Sequence, residues 1–171
     1  FDNITPQTAA TMTYTPLGAG AVVTTVAAKL QQIISVVDRG AVPDGTTDST
    51  TAIQNATGSN ILTWFPKTAA GSTYKITSLA FTGLANFEWK GFGVGGITIT
   101  TATAGTMLTF GNTCNFGTID GFVFTPTGVL ANSIGLLFNG SAGNLEVRRC
   151  IIQLWSKCGF QHLGTVGTQM S

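Results

Sequence analysis

A chain of 171 residues is long enough for one domain with its own hydrophobic core. Hydrophobic residues make up 43% of it and charged ones only 9%, with 22 glycines, where an ordinary domain is about a quarter charged. The net charge of +1 offers no basic field for nucleic acid. The chain holds no apolar run long enough for a membrane span, and its first residues lack the basic and apolar regions of a signal peptide. Low charge with plentiful Gly and Thr favours strands and tight turns, and leads us to expect sister subunits over much of the surface. Cys114, Cys150 and Cys158 lack metal-ligand spacing and read as buried free thiols of a protein made in a reducing cytoplasm. No metal and no cofactor is expected. A first residue other than Met, and patterned sequence up to Ser171, suggest a longer parent protein.

Residues 1–20 hold Pro6 and Pro16 and no sustained hydrophobic period, so an extended arm is expected. In residues 21–33, Val22, Val26, Leu30 and Ile33 recur at helical spacing and form one apolar stripe on a short helix. So short a helix needs a partner. It either packs on its own domain or forms a neck where identical chains meet. Residues 34–60 open with a strand, Ile34–Val37, followed by an Asp44-Gly45 turn. Asp48 is then placed to cap a helix from Ser49 to Ala56 whose Ala52, Ile53 and Ala56 face a core; Thr51 and Gln54 offer an alternative start. Asp44 and Asp48 lack the further oxygen ligands that a calcium loop requires.

From residue 61 to 171 the sequence repeats. Asn86, Asn115 and Asn144 each open a similar tetrad and stand 29 residues apart. Leu79, Leu108 and Leu137 precede them by seven positions, and Phe81, Phe110 and Asn139 by five. Gly83, Gly111 and Gly140 lie at or near the following turn. Short alternating segments at a fixed period of this size indicate a solenoid of strands, with one coil per repeat. The expected fold is therefore mainly β, a right-handed parallel β-helix preceded by an extended arm and a short neck helix.

Two motifs add a resemblance. Asp38-Arg39-Gly40-Ala41, then Asp44-Gly45-Thr46-Thr47-Asp48, then Thr51-Ala52-Ile53-Gln54-Asn55-Ala56 resembles the entry of pectate-lyase-like β-helix proteins. Trp64-Phe65-Pro66-Lys67, with Gly71-Ser72-Thr73-Tyr74-Lys75-Ile76 after a few extra residues, looks like the strand that follows that entry, and Lys90-Gly91-Phe92-Gly93 like its glycine-rich turn. Asp38, Gly40, Asp44, Gly45, Asp48 and Ile53 are thus the structural entry residues. Thr13 to Val22, continued by Thr24-Thr25-Val26 and Lys29-Leu30, is similar to the linker before the β-helix of bacteriophage tail fibres and tailspikes. That resemblance implies a homotrimer in the virion tail, held by tail, adaptor or baseplate proteins through its N-terminal arm. It further implies attachment to bacterial surface polysaccharide, often with depolymerisation by lyase or hydrolase chemistry. A secreted bacterial pectate-lyase-like lyase, glycosidase or adhesin is the alternative.

Cleaving a polysaccharide requires paired carboxylates, or a base beside a cation. Outside the arm and the entry motif, the acids are Glu88, Asp120 and Glu146. The repeat puts Glu88 and Glu146 in equivalent positions two coils apart, roughly 10 Å between Cα atoms, with Gly117 between them. They are an inverting pair or, more simply, solvated outward acids. Asp120 and Arg149, also 29 apart, should be lateral neighbours, forming an ion pair or a carbohydrate contact. His162 reads as a surface or subunit-contact residue. Trp64 and Trp155 could stack on sugars, whereas Trp89 reads as core or coil-end cover.

Overall fold

A computed structural model describes residues 7–139 and 144–163, together with the backbone of 169–170. Asp2 and Gly140 lie outside the described residues. The chain divides into two units, residues 1–33 and 34–171.

In the first unit, Thr8 to Met12 makes a turn in which Thr11 N and Met12 N both donate to Thr8 O at 2.9 Å. Two short strands, β1 (Thr13–Tyr14) and β2 (Thr24–Thr25), then pair antiparallel. Helix α1 covers only Val26–Leu30, less than the expected 21–33. The reason is local. Thr24 and Thr25 are β-branched and pair as a strand. The Thr25 hydroxyl then accepts from Ala28 N at 3.1 Å and caps the helix. Val22 therefore precedes the helix, and Ile33 opens the next strand.

In the second unit the chain winds as a parallel β-helix. Strands β3 (Ile33–Ser35), β4 (Asp44–Asp48), β5 (Leu62–Trp64) and β6 (Thr73–Ile76) are followed by β7 (Leu79–Phe81), β8 (Glu88–Lys90) and β9 (Ile97–Thr101). Then come β10 (Thr106–Phe110), β11 (Thr118–Asp120), β12 (Phe122–Pro126) and β13 (Ile134–Asn139). The series ends with β14 (Glu146–Arg148), β15 (Ile151–Ile152), β16 (Cys158–Leu163) and β17 (Gln169–Met170). Three sheets form the faces of the solenoid. Face I stacks β3, β5, β8, β11, β14 and β17; face II stacks β4, β6, β9, β12 and β15; face III stacks β7, β10, β13 and β16. Each coil visits the three faces in that order. In the first coil, helix α2 (Thr50–Ala56) stands in the chain where a face III strand would come, and its Ala52, Ile53 and Ala56 join the core.

Alternation fills the interior. In β12, Phe122 and Phe124 are fully buried while Val123 and Thr125 point out. Phe81, Phe110 and Phe138 occupy successive rungs of face III and stack at centroid distances of 5.6 and 5.4 Å, in the offset range that aromatic rings favour. Trp89 lies in the same core with no exposure, its Nε1 donating to Thr57 Oγ1 at 3.0 Å. His162 pairs in register with Phe138 and continues that column, half-buried at the last described coil.

The coil length is not constant, and this corrects the sequence register. Glu88 pairs with Thr118, and Thr118 with Glu146; the first step is one residue longer than the repeat and the second one shorter. The αL corner residues of face I are Asn60, Asn86, Phe116 and Asn144, with φ of 60°, 52°, 54° and 52°. Asn enters this conformation at little cost, and Asn86 Nδ2 donates to Asn60 Oδ1 at 3.1 Å. Matching by residue type selected Asn115, but the structural equivalent is Phe116. Gly117 absorbs the offset, since a Cβ there would lie 2.1 Å from Phe87 and 2.7 Å from Leu145. On face III, likewise, Leu108 pairs with Leu136 and Phe110 with Phe138, not with Leu137 and Asn139.

The entry motif also differs in detail. Val37–Arg39 forms a 3-10 turn closed by Gly40 at φ 93°. Asp44-Gly45 turns the chain at the start of β4, with Gly45 at φ 74°, and the pairing of β4 with β6 shifts register between Asp44 and Asp48. Asp44 Oδ1 accepts from Thr46 N and Thr47 N at 2.7 Å each, and these bonds hold its carboxyl well below the usual range. Ser49 takes the N-cap position without a side-chain capping bond. Its buried hydroxyl instead engages Val42, accepting from Val42 N at 3.1 Å. Asp48 satisfies Thr50 N from one residue further out, at 2.8 Å.

Candidate functional site

Face I carries the densest group of charged side chains in the solenoid. Each of its middle strands buries its central residue (Trp89, Ile119, Val147) and turns the flanking pair outward. Two outward columns result: Leu62, Glu88, Thr118 and Glu146 in one, and Trp64, Lys90, Asp120 and Arg148 in the other. With Arg149 at the next corner, the face holds six of the chain's eight basic and seven acidic residues.

Asp120 is the centre of this array. Its side chain is 1% exposed although it stands on the outer side of the sheet, because Lys90 and Arg149 cover it. Lys90 Nζ donates to Oδ2 at 2.6 Å. Arg149 Nε donates to Oδ1 at 2.7 Å, while its Nη2 reaches Oδ2. The rung partner of Asp120 is Arg148. Arg149 reaches it by a different route, from the corner, where its backbone is left-handed at φ 50°. That conformation is costly for a side chain of this size, and here it turns the guanidinium back onto the preceding coil. Arg149's two hydrogen bonds, then Lys90's, hold the Asp120 carboxyl down to about 2 despite burial. Burial pushes the neighbouring Cys150 thiol up.

This geometry sets what the acids can do. A carboxyl held so far down cannot donate a proton to a glycosidic oxygen near neutral pH. Glu88 and Glu146 are two rungs apart with Thr118, not Gly117, between them. Each faces a cation on its own strand, Lys90 Nζ at 3.6 Å and Arg148 Nε at 3.6 Å. Among the described residues, no cluster of three or more His, Cys, Asp or Glu could hold a metal ion.

The remaining sequence candidates are dispersed. Val22, Leu30 and Ile33 are 77%, 66% and 60% exposed and Val26 is half-buried. Asp38 is exposed in the 3-10 turn, and Ile53 is fully buried under α2. Trp64 meets the exposed Phe92 edge to face at 6.5 Å, and Lys67 Nζ lies 5.5 Å from the centre of the Phe92 ring. Trp155 is tied inward, its Nε1 donating to Phe124 O at 3.2 Å. Sequence reasoning missed Lys90 and Arg148 as members of the array; the Glu-x-Lys and Glu-x-Arg spacing on short strands was the available signal.

Three parallel sheets wound around one aromatic core define a parallel β-helix protein. Among solved structures it is similar to the ORF18 protein of Geobacillus virus E2, with a TM-score of 0.64 and 19% identity over 88% of this chain and 34% of that one. It is similar also to tailspike protein 3 of bacteriophage CBA120, with a TM-score of 0.57 and 16% identity over 92% of this chain and 29% of that one. At such identities the likeness is one of fold, and the chain spans about a third of the length of either protein. No protein-family model matches the chain, and no curated protein is similar to it in sequence.

Proposed function

We propose that the chain is the particle-proximal part of a bacteriophage tailspike or tail fibre subunit. Residues 1–20 anchor it to tail, adaptor or baseplate proteins of the virion. Val22, Val26, Leu30 and Ile33 join three copies in a neck, and the β-helix is presented toward bacterial surface polysaccharide. Any depolymerising chemistry is assigned to regions outside these coils, since the acids of face I are engaged with cations.

The observation that carries this reading is the shared fold: nearly the whole chain superposes on phage proteins, one of them a tailspike. The apolar side chains that the first unit leaves exposed, Val22, Leu30 and Ile33 among them, support the neck, because neighbouring copies would bury what one copy leaves uncovered. Light scattering of the purified chain tests it. A mass three times the 17.7 kDa of one chain is expected; a monomer at every concentration would overturn the trimer. Binding of the full-length protein to host capsule or lipopolysaccharide tests attachment, and absence of binding across a susceptible host's glycans would remove that part.

A further inference from the structure

We propose that Asp120 has a second arginine in reserve: when Arg149 leaves it, Arg148 takes over, so that the corner following β14 is a two-state element. One outward column of face I carries the argument. Lys90, Asp120 and Arg148 occupy three successive rungs of it, with Asp120 in the middle. Neighbouring rungs lie about 4.8 Å apart, so the two cations flank the carboxylate from opposite sides. Each cation also has a glutamate two residues earlier on its own strand. Lys90 Nζ lies 3.6 Å from Glu88, and Arg148 Nε lies 3.6 Å from Glu146.

Only one of the two flanking cations binds Asp120. Lys90 reaches it directly, Nζ to Oδ2 at 2.6 Å. Arg148 does not, although it is the in-register partner of Asp120. Its Nε is shut off from solvent and makes no hydrogen bond, a state that protein donors rarely keep. The place open to Arg148 is taken by Arg149, which comes in from the corner and engages both carboxylate oxygens. It does so from a left-handed backbone at φ 50°, which a long side chain adopts only under strain.

Two unfavourable terms therefore belong to the arrangement seen, an unpaired donor on Arg148 and a strained backbone at Arg149. Exchange removes both. With Arg148 on Asp120 its donor is satisfied, and Arg149 relaxes with its guanidinium, already 51% exposed, in water. What exchange gives up is the contact of Arg149 with both oxygens, the stronger geometry. Opposed terms of this kind are what a two-state element requires. Asp120 keeps Lys90 and one arginine in either state, so its buried carboxylate is never stranded, which would be far more destabilising.

The test follows the Asp120 carboxyl by side-chain carbon NMR through an acid titration of Arg149→Gly, Arg148→Gln and the two combined, with circular dichroism verifying each fold. Glycine at 149 accepts the left-handed backbone without strain. In the parent the carboxyl is held down to about 2. Arg149→Gly should raise the proton affinity of Asp120 by no more than about threefold, because Arg148 replaces the lost guanidinium, and Arg148→Gln should leave it unchanged. The combined variant should raise it at least about tenfold, or one pH unit. At neutral pH the same four chains form a double-mutant cycle in urea unfolding, which reads the coupling without acid; at least about fivefold non-additivity in the unfolding constant is expected. Arg149→Gly alone matching the combined variant, or an additive cycle, would overturn the proposal, since no reserve would then act. So would a response to Arg148→Gln as large as that to Arg149→Gly, because Arg148 would already be in service. Equal values in all four chains would assign Asp120 to Lys90 alone and overturn it as well.

Discussion

The two units of this chain handle their apolar residues in opposite ways. From Val36 onward, rings and branched side chains are drawn into one continuous core in which Trp89, Phe110, Phe122 and Phe138 have no exposure. Among the described residues before Ile34, none is buried, and Met12, Tyr14, Leu17, Val22, Val23, Leu30 and Ile33 are all exposed. The solenoid is stabilised by its own packing. The first unit has a few backbone hydrogen bonds and a capped turn of helix, which are marginal on their own. Apolar residues in the solenoid therefore matter for folding, whereas those of the first unit are left at the surface, where the proposed neck would use them.

The largest effect expected under this contrast is in the core. Phe110→Ala removes the middle ring of the face III stack and should cost about 3–5 kcal/mol in denaturant unfolding. A loss below about 1 kcal/mol would mean the core repacks freely. Next comes Asp120→Asn, which leaves Lys90 and Arg149 without their carboxylate. Because both cations are partly exposed, the loss should be nearer about 1–3 kcal/mol. The sign of its pH dependence follows from the lowered carboxyl. The ion cluster stabilises the fold above the ordinary aspartate value of 3.8, and this is lost as pH falls toward about 2. Asp120→Asn should flatten that segment of an acid titration followed by circular dichroism.

Phe116→Asn is smaller and opposite in sign. It puts a residue tolerant of the left-handed region where a bulky exposed ring now sits, and should raise stability by about 0.5–1 kcal/mol. Unchanged or lowered stability would show that the Phe116 ring makes a contact worth more than the relieved backbone. Leu30→Asp should move the solenoid's melting least of all, while weakening assembly in light scattering. A melting shift as large as that of Phe110→Ala would erase the distinction between the units.

The fold was legible because a β-helix writes its period into the chain. Leu79 with Leu108, Phe81 with Phe110, and the corner asparagines Asn86 and Asn144 were each visible as recurrences. The single-residue offset was not, since Asn115 matches its neighbours in type while Phe116 matches them in backbone. What decides between the two is the absence of room for a Cβ at Gly117, a three-dimensional fact. The same blindness touched the ion cluster. A fixed spacing pointed to Arg149, and Arg149 does bind Asp120, but from the corner; the rung position belongs to Arg148. Lys90 as the other cover of Asp120 depends on which coil lies beside which, and the capture of Val42 by Ser49 on how the chain turns around β4. The short α1 was obscured by a hydrophobic stripe that continues through residues which pair as strands.

The Phe116–Gly117 offset also bears on how the chain reaches this state. Each strand is completed only by the strand one coil earlier, so folding can advance as growth from a template, with every new turn reading its alignment from the last. The third face I addition after the entry strand is where that reading is most easily lost. A slip of one residue there would point Asp120 inward and Ile119 outward. Only glycine fits between Phe87 and Leu145 at this rung, so a slip that brought Phe116 or Thr118 into the place of Gly117 would meet a clash that the native alignment avoids.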